Sequence, residues 1–128
     1  IKNICKSENI DVKKISPNFI LSKIDKWKNK GYYPNEVKFT NQDPLEKGIL
    51  NIYKIYNKKL LDLNACDFGD LILHCVKILE QNSDIKNIYS KNFKYILVDE
   101  YQDTNFIQSK LLNLFKNEKN NKVHNKNF

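Results

Sequence analysis

Two adjacent carboxylates, Asp99 and Glu100, directly follow a short apolar run that ends at Val98. The run covers residues 95–98 without interruption, which is typical of a strand buried on both faces of a parallel sheet. Open α/β folds bind their ligands at the carboxyl edge of such a sheet. One carboxylate there can hold Mg²⁺, and the other can orient or deprotonate an attacking water. The pair therefore predicts a Walker B element.

The residues that follow this pair carry a more specific signal. Asp99 to Asn105 reads DEYQDTN, which closely resembles motif II of the UvrD/Rep/PcrA group of superfamily 1 DNA helicases. The stretch LNACDFGDLI resembles the Asp-Phe-x-Asp-Leu sequence that these helicases carry upstream of motif II, although Gly69 replaces an acidic residue often found there. The resemblance extends from about Ile1 to Glu118 and is strongest at motif II.

The resemblance implies a role for several side chains of motif II. Asp99 is expected to hold the Mg²⁺ of Mg-ATP, and Glu100 is expected to act as base toward the attacking water. Gln102 is expected near the γ-phosphate, where it couples the nucleotide state to the DNA site, and Asp103 is expected to be a structural hydrogen-bonding partner. The implied reaction is ATP hydrolysis that drives 3′-to-5′ movement on single-stranded DNA and separation of the strands at a duplex junction.

The same resemblance implies a domain organisation. Residues 1–92 are expected to form a helical accessory subdomain inserted in the first motor domain. Residues 93–117 are expected to form the Walker B strand and the next helix of that RecA-like P-loop domain, and residues 118–128 a polar flexible tail. The predicted class is mainly α, with about five helices and one strand of an incomplete α/β domain. The chain contains no Met, and a parallel-type strand needs paired edges, so we expect the strand's neighbours in the rest of a longer helicase polypeptide.

Periodicity and capping residues support the helical class. Ser16 with Pro17 predicts one helix start, and Asp43 with Pro44 predicts another. Each is followed by a single apolar face at helical spacing. The other predicted caps are Asp67 and Asp70, which we interpret as caps in preference to metal ligands, then Ser83 or Asp84, and finally Thr104 or Asp103.

The helix that begins at Pro17 is the candidate nucleic-acid contact. Its lysines could neutralise phosphates while a tryptophan ring stacks on a base. The alternative is that the tryptophan packs in the core and the lysines only solvate the helix edges. The predicted DNA-contacting residues are Lys23, Lys26, Trp27, Lys28 and Lys30.

Composition limits the environment and the partners. The formal net charge of +7 favours a polyanionic partner, although a coding bias toward Lys and Asn explains it equally well. Cys5, Cys66 and Cys75 show neither disulfide nor zinc spacing, which indicates a reducing compartment. We therefore expect an intracellular location, in the nucleus or else in an organelle. No apolar run approaches the ~18 residues of a membrane span.

The sequence lacks two parts of an ATPase site. It contains no Gly-x-x-x-x-Gly-Lys-Ser/Thr phosphate loop. Its 22 Lys and Arg residues are all lysines, so it supplies no arginine finger. We expect that this chain alone neither binds ATP tightly nor hydrolyses it. Three alternatives stay open: the helicase part of a RecB- or AddA-like nuclease-helicase, a helical DNA-binding module without catalysis, and a helical protein-interaction domain.

Overall fold

The computed structural model describes residues 1–11, 14–39 and 43–116, together with the backbone of 123–125. The chain divides into two compact units, Ile1–Asp70 and Leu71–Phe128. The mainly helical class is confirmed. No helix within the described ranges is both long enough and apolar enough to span a membrane. The elements are α1 (Lys2–Ser7), α2 (Pro17–Asn29), α3 (Pro44–Asp62), α4 (Phe68–Gln81), α5 (Ser83–Asn92), β1 (Ile96–Val98), a 3-10 turn (Tyr101–Asp103), α6 (Phe106–Phe115) and β2 (Val123–Asn125).

The caps predicted for α2 and α3 are confirmed. Ser16 Oγ accepts the backbone N–H of Phe19 at 3.2 Å, and Asp43 Oδ1 accepts that of Leu45 at 2.9 Å. Each cap is followed by proline, which lacks the N–H that the first turn leaves unpaired. At the other end of α2, Gly31 has a φ of 82°, and the N–H groups of Gly31 and Tyr32 return to carbonyls of the last helical turn. This left-handed ending requires glycine and stops α2 where its apolar stripe ends.

The core of the first unit lies between α1, α2 and α3. Tyr53 is fully buried at its centre, and its hydroxyl donates a hydrogen bond to the carbonyl oxygen of Tyr32 at 3.0 Å. Trp27 stacks on the Tyr53 ring, with the centroids 6.0 Å apart. Trp27 and Tyr53 therefore belong to the core. The buried apolar members of this core are Ile4, Cys5, Ile20, Ile24, Ile49, Ile52 and Tyr53.

A buried ion-pair cluster joins α2 to the start of α4. The Lys28 side chain is 1% exposed, and its Nζ lies 2.6 Å from Asp67 Oδ2 and 2.7 Å from Asp70 Oδ1. The rings of Tyr53 and Tyr56 lie 5.7 and 5.3 Å from the same ammonium. Such a charge is stable inside a protein only because both carboxylates and the ring faces replace its water. The cluster therefore depends on every one of its members.

Asp67 and Asp70 also cap α4, as predicted. The backbone N–H of Asp70 donates to Asp67 Oδ1 at 2.9 Å, and that of Asp67 donates to Asp70 Oδ2 at 3.3 Å. Burial alone raises the pKa of Asp67, but the hydrogen bond from Lys28, the Asp70 N–H and the Tyr56 hydroxyl outweigh it and hold the pKa below its usual value. A Cβ at Gly69 lies 3.1 Å from Lys28 Cδ, so glycine leaves room for the lysine stem.

The second unit packs part of α4 against α5 and α6. Leu73, Val76 and Ile107 are buried there, and Phe93 contacts Phe115 edge to face with a centroid distance of 5.5 Å. Lys110 Nζ lies 2.6 Å from Glu80 Oε1, which connects α6 to α4. Helical spacing places Phe68, Leu71, Ile72, Cys75, Ile78 and Leu79 on one apolar face of α4, yet most of them are exposed, among them Phe68, Leu71, Cys75 and Ile78. Of that face, Leu79 is buried.

The predicted strand is present but differs from expectation in two respects. It is not buried on both faces, because Leu97 is 63% exposed and Tyr95 is 74% exposed. One neighbour also lies within this chain, since β1 pairs in parallel with Val123–Asn125, with Ile96 opposite Val123. That partner strand falls inside residues 118–128, which were predicted to be a polar flexible tail. Residues 118–122 and 126–128 of this tail lie outside the described residues. The expectation that all strand neighbours lie elsewhere is therefore wrong.

Two helix caps also differ from the predictions. Asn82 precedes α5, and its side chain donates to the Ile78 carbonyl instead of capping α5. At α6 the cap is Asn105, which accepts the Gln108 N–H at 3.0 Å, while Gln108 Oε1 accepts the Asn105 N–H at 3.1 Å. This reciprocal pair is a capping box. The last residue of the DEYQDTN motif is therefore structural, because it starts α6.

Gly48→Ala is expected to stabilise the chain by about 0.5–1 kcal/mol, because alanine reduces the entropy lost when a helix interior folds. Gly48 lies inside α3, and no described heavy atom lies within 4 Å of an added Cβ. Urea denaturation followed by circular dichroism measures the change. Gly31→Ala is the matched control and should destabilise by about 1–2 kcal/mol, because φ there is 82°. Equal effects of the two substitutions would contradict the helix assignments.

Lys28→Met is expected to destabilise the first unit by about 3–5 kcal/mol, because it leaves Asp67 and Asp70 without their buried cation. Lys54→Met, at an exposed lysine of α3, should change the free energy of unfolding by less than about 0.5 kcal/mol. The triple variant Lys28→Met, Asp67→Asn, Asp70→Asn should recover part of the loss, since no charge is then left unpaired. Full stability of Lys28→Met alone would refute the cluster.

The stability of the first unit is expected to fall on acidification. Because the pKa of Asp67 is lowered on folding, its contribution is fully present above the usual Asp value of ~3.9 and is lost as pH falls through the folded-state value. Urea midpoints measured between neutral pH and about pH 3 should therefore drop steeply in the acidic range. In Asp67→Asn the drop should be shallower. If the urea midpoint of Asp67→Asn depends on pH in the same way as that of the parent chain, the Asp67 carboxylate is not the group that causes the loss of stability at acidic pH.

Candidate nucleotide and nucleic-acid sites

The motif II carboxylates emerge from the carboxyl end of β1. Val98 is the last strand residue, and Asp99 and Glu100 follow as exposed residues in a bend. Asp99 Oδ1 accepts the backbone N–H of Glu100 at 3.0 Å, which ties the side chain of one acid to the backbone of the other. Neither acid is turned into apolar packing. Both carboxylates are thus accessible at the strand end, as a Walker B element requires.

Glu100 adopts a backbone conformation that is unusual for a residue with a side chain. Its φ and ψ are 49° and 43°, in the left-handed region. A non-glycine residue held there costs of order 1–3 kcal/mol and is over-represented at functional sites. The turn is continued by the 3-10 turn Tyr101–Asp103, in which the N–H of Asp103 donates to the Glu100 carbonyl oxygen at 3.0 Å. The left-handed residue and the 3-10 turn therefore bend the chain directly after the strand.

The side chain of Gln102 lies beside that of Glu100. Its side-chain Nε2 donates a short hydrogen bond to Glu100 Oε2. A side-chain amide carries two N–H donors, so the second remains for another acceptor. Asp103 follows in the same turn and is exposed. The residues predicted from DEYQDTN are therefore brought together on one short loop.

A cleft of about 390 Å³ opens beside this loop within the second unit. Asp99, Glu100 and Asp103 line it on the loop side. Two further lining residues, Thr104 and Gln108, were not predicted as site residues. Thr104 lies within the motif II heptapeptide, so its position there was the available signal, whereas Gln108 is placed by the capping box at the start of α6. Val98, Leu111 and Leu112 complete the lining.

The donor set at the cleft suits Mg²⁺ in one specific way. Mg²⁺ prefers hard oxygen ligands and is commonly held by one or two carboxylates together with substrate phosphates and waters. Asp99 offers an exposed carboxylate of this kind at the strand end. Among the described residues, no three His, Cys, Asp or Glu side chains lie close enough together to form a metal site by themselves. The arrangement therefore fits a nucleotide-borne Mg²⁺ and not a cage built from protein ligands alone.

The structure separates the predicted DNA-contacting residues of α2 into two groups. Lys26 and Lys30 are exposed, and Lys23 is partly exposed, with its Nζ 3.6 Å from Glu46 Oε1. Lys28 points inward, so its predicted phosphate contact is corrected: its ammonium is already neutralised by buried carboxylates. Trp27 is partly buried and packs on the core, in agreement with the alternative reading.

Comparison with known proteins identifies relatives over nearly the whole chain. The sequence model of the UvrD/REP helicase N-terminal domain matches residues 1–124. A probable DNA helicase II homolog of Rickettsia conorii is 38% identical over 122 residues, which covers 91% of this chain and 19% of the relative. The ATP-dependent DNA helicase PcrA of Bacillus subtilis is 38% identical over 112 residues, 88% of this chain and 15% of that protein. The ATP-dependent DNA helicase Rep of Buchnera aphidicola is 39% identical over 102 residues, which covers 80% of this chain and 15% of that protein.

These relatives correct one prediction and confirm another. They are bacterial proteins, from cells without a nucleus, so the expected nuclear location is wrong. This chain spans less than a fifth of the length of each, between 15% and 19%. The resemblance inferred from DEYQDTN is confirmed, since the relatives bear the names DNA helicase II, PcrA and Rep. With the family match over residues 1–124, the chain belongs to the UvrD/REP helicase N-terminal domain family.

Proposed function

We propose that this chain is part of an ATP-dependent DNA helicase, to which it contributes the Walker B carboxylates. The observation that carries this proposal is the joint exposure of Asp99 and Glu100 at the carboxyl end of β1, beside one cleft. Within the part of the chain that the structure describes, neither acid is paired with a cation, so both are available for chemistry on a ligand. Membership of the helicase family and the DEYQDTN sequence support the assignment of that ligand as ATP.

Each residue of the loop has a distinct task in this proposal. Asp99 holds Mg²⁺, which on binding neutralises charge on the phosphates. Glu100 accepts a proton from the attacking water, and it is exposed two residues after the end of the strand. Gln102 fixes one oxygen of Glu100 and has a second N–H free for the γ-phosphate side. Asp103 supports the loop from the end of the 3-10 turn.

The wider activity belongs to the same proposal. ATP hydrolysis would drive 3′-to-5′ movement on single-stranded DNA and unwinding at a duplex junction, as the resemblance of motif II implies. The partner that the chain needs is the rest of the helicase polypeptide, because its own sequence contains no Walker A loop. We therefore propose that the isolated chain is inactive toward ATP, since the phosphates lack their cradle.

Glu100→Gln in the complete polypeptide is expected to lower kcat for DNA-stimulated ATP hydrolysis by about 10²- to 10⁴-fold, because the variant removes the base while it keeps the shape of the side chain. KM for Mg-ATP should change little, since a base acts in the transition state. A coupled phosphate-release assay measures both constants.

Asp84→Asn is the matched control for that experiment. It removes an exposed carboxylate from α5, away from the loop, and should leave kcat unchanged. The isolated chain should show no turnover in the same assay. Turnover by the isolated chain that Glu100→Gln abolishes, or an unaffected kcat in the complete polypeptide, would contradict the proposed roles.

A further inference from the structure

The hydrogen bonds of the motif II loop, residues 99–104, mostly connect members of the loop to one another. They run from the N–H of Glu100 to Asp99 Oδ1, from the N–H of Asp103 to the Glu100 carbonyl oxygen, from the N–H of Thr104 to the Tyr101 carbonyl oxygen, and from the Gln102 amide to the Glu100 carboxylate. Because these four bonds stay within the loop, they shape it but do not hold it against a helix.

Gln108 joins the end of the motif II loop to α6. Its side-chain Oε1 accepts the backbone N–H of Asn105 at 3.1 Å, and this N–H belongs to the peptide group that connects Thr104 to Asn105. Because a peptide group is planar, the bond fixes the direction in which the chain leaves the loop. Gln108 is partly buried and lines the same cleft as Asp99 and Glu100.

Glu100 is the residue of the loop that most needs such a restraint. Its φ of 49° lies in the left-handed region, where a residue with a Cβ persists only when the surrounding structure holds it. Glu100 is also exposed, so side-chain packing contributes little to holding it. The restraint must therefore come from hydrogen bonds, and the bond to Gln108 ties the loop to a helix.

We propose that Gln108 is a positioning residue for Glu100: through the Asn105 N–H, it holds the motif II loop in the conformation in which Glu100 can act as base. This inference rests on the proposed function for the role of Glu100. The group of Gln108 that acts is its side-chain carbonyl oxygen, which accepts the bond. Its amide nitrogen is not required.

The two halves of the capping box can be removed one at a time. Gln108→Ala deletes the bond to the loop but leaves Asn105 Oδ1 bonded to the backbone N–H of residue 108. Asn105→Ala deletes that cap of α6 but keeps the backbone N–H that Gln108 accepts. If the box only stabilises α6, Asn105→Ala is the more harmful change, because losing an N-cap costs more than placing alanine in a first helical turn. Positioning of Glu100 predicts the reverse order for catalysis.

The first test measures ATP hydrolysis by the complete polypeptide at saturating DNA. Gln108→Ala should lower kcat by about 2- to 12-fold, which is the equilibrium effect of one hydrogen bond, and Asn105→Ala should lower it less. KM for Mg-ATP should change little in Gln108→Ala, because a base acts in the transition state. Gln108→Glu should retain kcat, since glutamate supplies the same acceptor oxygen in a capping box. Asp43→Ala removes the cap of α3 and is the matched control, with kcat unchanged.

A double-variant cycle tests whether Gln108 acts through Glu100. In the Glu100→Gln background, Gln108→Ala should cause no further loss of the residual turnover, because the base that Gln108 positions is already absent. A residue that only stabilises the fold would lower turnover by the same factor in both backgrounds.

Hydrogen exchange followed by mass spectrometry reports the restraint without ATP. In Gln108→Ala, residues 101–105 should exchange about 2- to 12-fold faster, because the Asn105 N–H loses its acceptor and the loop opens more often. In Asn105→Ala, the faster exchange should instead fall on the first turn of α6, residues 106–109.

Three results would each overturn the positioning role. They are an equal loss of kcat in Gln108→Ala and Gln108→Glu, a further loss when Gln108→Ala is added to Glu100→Gln, and unchanged exchange of residues 101–105 in Gln108→Ala. If Glu100→Gln abolishes ATP hydrolysis while Gln108→Ala has no effect, only the positioning role is refuted. If Glu100→Gln leaves kcat unaffected, the proposed function fails, and the exchange measurement still decides whether Gln108 restrains the loop. Circular dichroism shows that each variant has folded.

Discussion

The ammonium of Lys28, held between Asp67 and Asp70, is the interaction on which the first unit depends. It lies 1% exposed between the rings of Tyr53 and Tyr56, where water cannot solvate it. Because removing a charge from water costs several kcal/mol, the two carboxylates and the aromatic faces must all be in place. The cluster therefore fixes the start of α4 against α2. It also gives a structural reason for the Asp-Phe-Gly-Asp sequence, in which both acids serve Lys28 and the glycine leaves room for its stem.

The same electrostatic rule distinguishes the two pairs of acids in this chain. Asp67 and Asp70 are neutralised by an internal cation, so they are unavailable to a ligand. Asp99 and Glu100 lie exposed at the end of β1, where the described contacts are hydrogen bonds from a backbone N–H and from the Gln102 amide. A carboxylate that is to hold Mg²⁺ or accept a proton from water must keep its charge free. Both pairs consist of carboxylates, but the first pair contacts a buried ammonium and the second pair is exposed to solvent.

Features that depend on local backbone chemistry could be predicted from the sequence. Ser16 and Asp43 cap their helices because each precedes a proline and an apolar face. The cap of α6 could not be predicted in the same way, since Asp103, Thr104 and Asn105 are all able to cap. The 3-10 turn uses Asp103, and only Asn105 then has Gln108 three residues ahead for the reciprocal bond. The 3-10 turn that precedes α6 therefore decides which of these three adjacent residues caps the helix.

The sequence by itself determined the helical class, the family signature in DEYQDTN and the identity of the two acids at the strand end, because these follow from spacing along the chain. Only the tertiary structure decided which lysines of α2 face inward, that Trp27 packs on Tyr53, and that Leu97 of the strand is exposed. Helical periodicity shows which residues share a face. It does not show which neighbour covers that face, and for Lys28 the neighbour was a pair of carboxylates 39 residues away or more.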